Sequence, residues 1–448
     1  MKKGRAWLLL VCALLLTIVL FNPVKQEVTA ARAKQEPVKL VFWGALPPES
    51  GPQALIDNYK LVEPNVTIEY VRYLNNDQGN IKLDTALLAG EEIDIFTSYG
   101  VNRREQRVKA GMAADLTALC KQYGIDLIRD FGPGAEANIV NGKVYSIPSM
   151  TIINFIALNK DMFDKASIPI PQDWTLDEFK AIAKKLSKGE GQGKVYGIIG
   201  DYNVNIMSFL PTKLNGTPYL KEDLSGTTWK SIPDFRRGFQ LLYDMMYKDQ
   251  SMMSWEDVLT QKLTNTEALA AAFFEGRSAM MVTGTYMLRN IKDTEKYPRD
   301  FTVAFAPKPK VEKGQKIYYK DQMPHDDMMI PPRSTKKEEA FKFIKWYATE
   351  GYGPMIESGR PPLYTKYDSN KAASLLLKGA EGVIDLDSFA TNVLTPADYI
   401  KEDRTVRQAA ELEQILREEQ EAYYLNVIDL DALLNNLQKR MDAVLKGK

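Results

Sequence analysis

Val38-Lys39-Leu40-Val41-Phe42-Trp43-Gly44 is an apolar stretch that predicts a buried β-strand ending at the glycine. Outward from it, the periodicity predicts a helix at 54–62, a strand at 66–70, a helix at 80–89 and a strand at 93–97. Gly90 follows the second helix, at the position where a C-terminal cap favours glycine. This β-α-β-α-β order predicts an α/β protein whose parallel or mixed sheet carries helices on both faces.

Length and charge limit the classes of protein to which the chain can belong. The 448 residues exceed one ordinary hydrophobic core, which predicts two domains or lobes. Lys and Arg number 58, as do Asp and Glu, so the formal net charge is zero and no nucleic-acid partner is indicated. Hydrophobic residues make up 45% of the chain, which is the proportion of a globular protein.

Residues 1–33 have the layout of a secretory signal peptide or, if uncleaved, of an N-terminal anchor. Positive residues come first, and an apolar run covers 7–21. Two small-residue patterns then offer cleavage sites, Val28-Thr29-Ala30 and Ala31-Arg32-Ala33. Cys12 lies inside the apolar run, too early for a cysteine that carries a lipid after cleavage. The sequence therefore predicts an exported protein of the cell surface or periplasm without a convincing lipid-bearing cysteine. After cleavage only Cys120 remains, which excludes an internal disulfide.

Two helix starts carry the pattern of a capping box, in which a Ser or Thr and a Glu three residues later bond each other's backbone. Thr175 with Glu178 predicts one such start, before an apolar helical face. Thr335 with Glu338 predicts another before the apolar helix that follows.

Catalytic motifs are scarce. The chain contains one histidine, His325, no Gly-x-Ser-x-Gly elbow and no Walker-type phosphate loop. Asp326 and Asp327 beside His325 indicate a metal only weakly, because sequence neighbours rarely all face one ion. Glu91 and Glu92 are interpreted as a solvated turn, since nothing sets the separation that glycosidase carboxylates require. We therefore predict a protein that is not an enzyme and that uses no metal or other cofactor.

A series of segments occurs in the order and spacing of one known family. They are Leu40-Val41-Phe42-Trp43-Gly44, Pro64-Asn65-Val66-Thr67-Ile68, Leu88-Ala89-Gly90 with Ile93-Asp94-Ile95-Phe96, Gly142-Lys143-Val144-Tyr145-Ser146-Ile147-Pro148, Leu158-Asn159-Lys160-Asp161-Met162-Phe163, Pro171 with Trp174-Thr175-Leu176-Asp177-Glu178-Phe179, Phe274-Glu275-Gly276-Arg277-Ser278-Ala279-Met280-Met281, and Ala340-Phe341-Lys342-Phe343-Ile344. Over about residues 38–365 the chain resembles the family 1 extracellular solute-binding proteins, the carbohydrate-binding group that includes maltose-binding protein. The remaining tail matches only as helices.

The resemblance implies a two-lobe, periplasmic-binding-protein-like α/β fold, each lobe a mixed, mostly parallel sheet flanked by helices, with a multi-segment hinge. It assigns residues 34–150 and 304–349 to lobe 1, and residues 151–303 and 350–448 to lobe 2. It puts crossings near 149–153 and 301–307, and a third after the helix that ends near 349. It also implies a monomer near the membrane that captures a carbohydrate by lobe closure and delivers it to the permease subunits of an ABC importer.

Carbohydrate recognition needs aromatic platforms and a few polar groups that fix the sugar's orientation. Strand ends and the resemblance together predict these ligand-binding residues: Trp43, Ser98, Tyr99, Tyr286, His325, Asp326 and Arg360. The first three follow strand ends, where α/β ligand sites open, although a core position suits Trp43 equally well. The resemblance puts Tyr286 at a stacking position and His325 and Asp326 where relatives often have glycines. Arg360 fits either a surface loop or a contact with a ligand carboxylate. The predicted ligand is an oligosaccharide, and Arg360 and His325 make a uronic acid within it one option.

Three alternatives stay open. A secreted carbohydrate-active enzyme would need two positioned carboxylates in one cleft, and sugar turnover would reveal it. A ferric-ion-binding protein would use tyrosines, with Tyr318, Tyr319 and His325 as candidates, and would colour on adding iron. A sensor partner would use the same clamp to present its ligand to a membrane receptor, and neighbouring permease genes would separate it from an importer.

Overall fold

The computed structural model describes residues 36–200, 219–221, 223–314, 317–319, 324–394, 399–401 and 408–447. The predicted signal or anchor at 1–33, with Cys12, lies outside the described residues. Among the residues that are described, we find no helix with both the length and the apolar character needed to cross a membrane.

The described strands are β1 (Val38–Gly44), β2 (Val66–Arg72), β3 (Ile95–Ser98), β4 (Ile139–Val140), β5 (Lys143–Val144), β6 (Met150–Thr151), β7 (Asn154–Asn159), β8 (Tyr196–Ile199), β9 (Ser278–Gly284), β10 (Val303–Ala306), β11 (Ile317–Tyr319), β12 (Pro324–His325), β13 (Asp327–Met329) and β14 (Tyr399–Lys401). The described α-helices are α1 (Pro52–Val62), α2 (Asp77–Ala89), α3 (Val101–Lys109), α4 (Thr117–Gln122), α5 (Leu127–Phe131), α6 (Lys160–Lys165), α7 (Leu176–Leu186), α8 (Pro233–Tyr243), α9 (Trp255–Thr260), α10 (Thr266–Phe274), α11 (Leu288–Lys292), α12 (Lys337–Ala348), α13 (Gly353–Glu357), α14 (Ser369–Leu377), α15 (Leu386–Phe389), α16 (Ala409–Tyr424) and α17 (Leu430–Leu445). The predicted early elements are all present, and Gly90 caps α2 in the left-handed conformation, as predicted.

The first lobe is built on a four-stranded sheet in the order β13-β3-β1-β2. Alternation along β1 sends its side chains to two faces. Phe42 packs edge-on against Phe343 of α12 on one face, whereas Val41 and Trp43 share a second cluster with Leu83 of α2. Both faces are therefore covered by helices, as the apolar run in β1 predicts.

The second lobe is built on a sheet in the order β10-β7-β9-β8. β8 is parallel to β9, and β7 is antiparallel to both β9 and β10. In the first sheet β13 is likewise antiparallel to β3, whereas β1, β2 and β3 are parallel. Each sheet thus has three strands running one way and one running the other. The odd strands, β7 and β13, closely follow the crossings at β6 and β12, so they run away from the hinge while their neighbours run toward it.

Three short segments cross between the lobes side by side. β6 is antiparallel to β12, with Met150 opposite His325. The third segment bonds to β6 on its other side, through Thr151 N to the Pro361 carbonyl at 3.1 Å and Leu363 N to the Ser149 carbonyl at 3.2 Å. Backbone hydrogen bonds therefore hold the three crossings together as one hinge.

The second crossing lies later in the chain than expected. Residues 303–306 pair with β7 in the second sheet, where all four are buried, and the chain reaches the hinge only at Pro324–His325. The apolar sequence of β10 keeps it in that sheet, because leaving would expose four buried side chains. The expected lobe 1 segment at 304–349 therefore begins with residues of the second sheet, and α13, expected in lobe 2, packs on α1 of the first lobe.

One of the two predicted capping boxes is present. Glu178 Oε2 accepts a hydrogen bond from Thr175 N at 2.8 Å, and Thr175 Oγ1 accepts from Glu178 N at 3.3 Å. The box predicted at Thr335 and Glu338 is wrong, because α12 begins one residue later and Lys336 is its N-cap. Glu338 instead accepts a hydrogen bond from the Tyr123 hydroxyl of a neighbouring element.

Asp130 joins α5 to the chain beyond the third crossing. Its carboxylate accepts hydrogen bonds from Arg129 at 2.7 Å, Lys366 at 3.1 Å and the backbone N of Asp126 at 2.9 Å, and its carbonyl accepts from Thr365 N. The Arg129 guanidinium is the main reason why the pKa of this carboxyl lies well below its usual value. A carboxyl with a lowered folded-state pKa stabilises the fold above its unfolded pKa and loses that contribution as pH falls.

The wild-type free energy of unfolding should therefore fall as pH is lowered from about 4 to about 2. Asp130→Asn should be less stable at pH 7 and should lose less stability over that acid range. Urea denaturation at a series of pH values measures both effects, with the exposed Asp57→Asn as the matched control. An Asp130→Asn variant whose stability fell with pH as steeply as wild type would contradict this assignment.

Candidate functional site

The strand ends of both sheets converge on the hinge. In the first sheet β1 ends at Gly44 and β3 at Ser98, and the start of β13 lies beside the end of β3 because Ser98 is opposite Asp327. In the second sheet β9 ends at Gly284, opposite Asn154 just after the first crossing. The carboxyl ends of parallel strands are where α/β proteins bind ligands. The candidate site is therefore the cleft between these two sheet edges, with the crossing segments as its floor.

Trp43 lies inside the first lobe rather than at an open strand end. Its side chain is buried and belongs to the cluster that contains Leu83 and Phe96. The Lys82 ammonium lies 5.7 Å from the centre of its ring system. Trp43 therefore has the surroundings of a core side chain. Contact between Trp43 and a ligand stays a prediction.

Ser98 and Tyr99 have different surroundings although they are sequence neighbours. The Ser98 side chain is fully buried, and its hydroxyl accepts a hydrogen bond from Arg107 Nη1 at 2.8 Å. Tyr99 is only partly buried, and its hydroxyl oxygen accepts from Ala45 N at 3.0 Å. Burial, followed by the negative charge of Asp326, raises the pKa of Tyr99. Tyr99 is therefore a neutral hydroxyl at the cleft edge, whereas Ser98 faces the interior of its lobe.

Asp326 and Arg360 lie together and form an ion pair with each other. Arg360 Nε lies 3.2 Å from Asp326 Oδ2, and both side chains are 6% exposed. Arg360 Nη1 also donates to the Ser358 hydroxyl at 3.2 Å, and the Ser149 hydroxyl donates to the Asp326 carbonyl at 3.1 Å. Burial raises the pKa of Asp326, and the positive charge of Arg360 opposes this effect. The charge predicted to meet a ligand is therefore matched by a carboxylate of the chain itself.

His325 is part of the hinge. It lies on β12 directly opposite Met150, and its carbonyl accepts a hydrogen bond from Ser149 N at 3.3 Å. Its side chain is partly buried and lies close enough to Asp326 to lower the pKa of that carboxyl. The histidine thus borders the cleft floor beside the Asp326–Arg360 pair.

A second buried ion pair lies immediately behind the first and was not foreseen from the sequence. Arg104 Nη1 donates to Asp327 Oδ2 at 3.2 Å, and the two side chains are 1% and 0% exposed. Asn138 donates to the other oxygen of Asp327 and also to the Ser146 hydroxyl, the latter at 2.7 Å. Asp326 has a φ of 55°. The left-handed backbone at Asp326 lies where two consecutive carboxylates diverge, Asp326 toward Arg360 and Asp327 toward Arg104. Pairing across 223 residues leaves no local pattern from which Arg104 could have been predicted.

Tyr286 lies across the hinge, in a 3-10 turn at Thr285–Met287 that follows β9. The turn is fixed to the first crossing, since Thr285 N donates to the Ile153 carbonyl at 2.9 Å. It also touches the third crossing, where a Cβ added to Gly359 would lie 2.3 Å from the Thr285 carbonyl oxygen. Tyr286 is partly buried. The structure thus holds the predicted stacking residue at the hinge edge of the second lobe.

Arg289 is a further residue of this edge that the sequence interpretation missed. It lies three residues after Tyr286, a spacing that puts both on one side of a helical turn, and this was the available signal. Burial, and then the positive charge of Arg360, lowers the pKa of Arg289 to about 10. Tyr99 of the first lobe also acts on this pKa, so Arg289 lies within electrostatic range of the opposite lobe.

Five of the seven predicted residues therefore gather around the hinge edges of the cleft: Tyr99, Tyr286, His325, Asp326 and Arg360. Trp43 and Ser98 lie instead within the first lobe. Across the described ranges, no three or more His, Cys, Asp or Glu side chains are grouped so as to hold a metal ion. What this arrangement offers is aromatic faces, hydroxyls and two guanidinium groups on both sides of a hinge.

Known proteins resemble the chain in sequence and in structure. The family model for bacterial extracellular solute-binding proteins matches residues 44–354. A maltotriose-binding protein of Pyrococcus abyssi is 25% identical over 315 residues, which covers 69% of this chain and 62% of that relative's length. An ABC substrate-binding protein of Listeria monocytogenes, solved in complex with cycloalternan, superposes with a TM-score of 0.73 at 19% identity, covering 92% and 100% of the two chains. A sugar transporter of Rhizobium etli in an open conformation gives a TM-score of 0.63 at 24% identity, covering 91% and 99%.

Proposed function

Because the chain belongs to the bacterial extracellular solute-binding protein family, we propose that it captures a carbohydrate in this cleft and delivers it to an ABC importer. The observation that carries the proposal is the convergence of Tyr99 from one sheet edge and Tyr286 from the other on a three-segment hinge that includes His325. A ligand that contacts both edges favours the closed arrangement by its differential affinity for that state. Capture therefore needs no bond to be made or broken.

The chemistry of the cleft suits an oligosaccharide. Tyrosine rings offer apolar faces to the C–H groups of a sugar, and hydroxyl and guanidinium groups bond its oxygens. The related protein of Pyrococcus abyssi is named for maltotriose, and the Listeria monocytogenes complex holds cycloalternan. These ligands support a sugar of several units here as well. A uronic acid within that sugar is the finer part of the proposal, and it depends on which arginine is available to bind it.

The proposed setting is outside the cytoplasm, next to the membrane. The signal-like segment at 1–33 would direct export, and a monomer would then present its closed form to the permease subunits. Presentation to a receptor instead of a permease would use the same clamp. The family match gives no support to a secreted carbohydrate-active enzyme or to ferric-ion binding.

Tyr286→Ala should weaken binding of the cognate sugar about fivefold to thirtyfold, because truncation removes an aromatic platform worth about 1–2 kcal/mol. Tyr286→Phe should retain most of the affinity if the ring face makes the contact. A thermal-shift screen of maltotriose, mannotriose and cyclic glucans on the wild type identifies the ligand through stabilisation by mass action. Calorimetry then gives the affinities of the variants.

The matched control is Tyr196→Ala, since Tyr196 begins β8 and therefore lies at the edge of the second sheet remote from the hinge. Its affinity should equal that of wild type. Unchanged sugar affinity in Tyr286→Ala would remove this residue from the site, and release of shortened sugar by pure protein would contradict a purely binding role.

A further inference from the structure

Two arginines approach each other across the hinge edge of the cleft. Gly359, next to Arg360, packs against Thr285 and Leu288, where a Cβ would lie 2.3 Å from the Thr285 carbonyl oxygen and 3.0 Å from Leu288 Cβ. Arg289 follows Leu288 directly in α11. The contact between these two backbone segments therefore brings Arg289 of the second lobe next to Arg360.

The two guanidinium groups differ in how their charges are matched. Arg360 is paired with Asp326 in a buried contact, where both side chains are 6% exposed. Arg289 is 17% exposed, and its carboxylate partner is Glu267, which lies 3.3 Å from Nη2 and is itself 48% exposed. An ion pair of that exposure contributes little. The charge of Arg289 is therefore less well compensated than that of Arg360.

The hydrogen-bond donors of Arg289 are also underused. A guanidinium has five N–H groups arranged to meet a planar pair of oxygens. Among the described residues, Arg289 donates only to Glu267. Neither its Nε nor its Nη1 is among the fully buried polar atoms that lack a partner. Those two nitrogen atoms are therefore neither sealed in the interior nor used by another described residue.

We propose that Arg289 is the specificity-determining residue for an acidic sugar, and that it binds the carboxylate of a uronic acid unit with Arg360 as the neighbouring positive charge. A carboxylate matches the planar fork of a guanidinium in a bidentate pair. The inference rests on the proposed carbohydrate-binding function and deepens it. Arg360 is already paired with Asp326. The proposed acid-binding residue is therefore Arg289 of the second lobe and not Arg360.

Nearby charges support this choice of ligand. Burial and Arg360 both disfavour the charged form of Arg289, and Glu267 favours it. An arriving carboxylate would stabilise the charged form by the same physics. Closure would then join the anion to both lobes, because Arg289 belongs to the second lobe and Arg360 is bound to Asp326 of the first.

The test compares trigalacturonate with its fully methyl-esterified form, which has the same sugar skeleton without charge. Calorimetry on the full chain should give wild type a preference for the acid of about tenfold or more. Arg289→Gln should lose about tenfold to a hundredfold in affinity for the acid and little for the ester. Arg289→Lys should lose less, since it keeps the charge but not the fork. Glu267→Gln should bind the acid more tightly, because a competing carboxylate is removed.

Arg277→Gln is the matched control, since Arg277 directly precedes β9 and so lies at the end of that strand away from the hinge. Its preference should equal that of wild type, and melting curves of all variants establish that they are folded. Equal wild-type affinity for acid and ester would overturn the inference, as would an acid preference retained by both Arg289 variants. Binding of neutral maltotriose alone would overturn the inference and leave carbohydrate capture standing. Absence of binding to every sugar would overturn the proposed function itself.

Discussion

Asp327→Ala should destabilise the protein by about 3–5 kcal/mol, because it leaves the Arg104 guanidinium buried without its charge partner. Arg104 and Asp327 are 1% and 0% exposed, so bulk water does not solvate the unpaired guanidinium. Asn138 would lose one of its two acceptors at the same time and keep the Ser146 hydroxyl. Urea or guanidinium denaturation at neutral pH, with a linear extrapolation to water, measures the loss.

The exposed ion pair between Asp77 and Arg103, the neighbour of Arg104 in α3, supplies the control. Arg103 Nη2 lies only 2.7 Å from Asp77 Oδ1, a shorter contact than the 3.2 Å of the buried pair, but the two side chains are 31% and 77% exposed. Asp77→Ala should therefore cost about 0–1 kcal/mol. Asp327→Ala should lose more stability than Asp77→Ala because its ion pair is buried, although its contact is the longer one.

Replacing both buried partners should be milder than replacing one. The double variant Arg104→Met with Asp327→Leu leaves no unpaired buried charge, and such replacements are often neutral or stabilising. A double variant as unstable as Asp327→Ala would show that shape or the hydrogen bond from Asn138, and not the unpaired charge, sets the cost. A small effect of Asp327→Ala alone would contradict the burial of this pair.

Gly359→Ala is the second variant with a large expected effect, on stability and on ligand binding together. Gly359 has a φ of +87°, and an added Cβ would lie 2.3 Å from the backbone oxygen of Thr285. Strain in the left-handed region adds about 1–2 kcal/mol and the clash adds about 1–3 kcal/mol. The clash pushes the turn that carries Tyr286 away from the hinge, together with the start of α11 that carries Arg289. We therefore expect a loss of about 2–5 kcal/mol in stability and at least a tenfold loss in sugar affinity.

Gly379→Ala separates the two causes. Gly379 has a φ of +73°, yet a Cβ there would meet no atom within 4 Å. It should show the backbone cost of about 1–2 kcal/mol and unchanged affinity. Denaturation curves and calorimetry on both variants make the comparison. Equal behaviour of the two variants would mean that the contact between Gly359 and Thr285 does not hold the cleft in shape.

Much of the candidate site could be predicted as a location but not as a set of contacts. Strand ends placed Tyr99 at the cleft, and the resemblance placed Tyr286 and His325 near it. Arg360 was also placed near the hinge, but its pairing with Asp326 joins residues 34 positions apart in different crossing segments. Trp43 shows what a strand end does not predict. A strand end predicts proximity to an opening, but it does not predict which face of the strand a neighbouring helix covers.

Local patterns along the chain were enough to predict the early elements and the class of the fold. Periodicity marked the first strands and helices, the Thr175–Glu178 box marked the start of α7, and ordered segments indicated the family. These signals are local or depend on order along the chain, which is why one sequence carries them. Three outcomes became visible only in the folded structure: the position of the second crossing, the pairing of Asp326 and Asp327 with different arginines, and the approach of Arg289 to Arg360. Those outcomes depend on burial and on contacts between distant residues, and charge pairing in a protein interior follows proximity in space rather than in sequence.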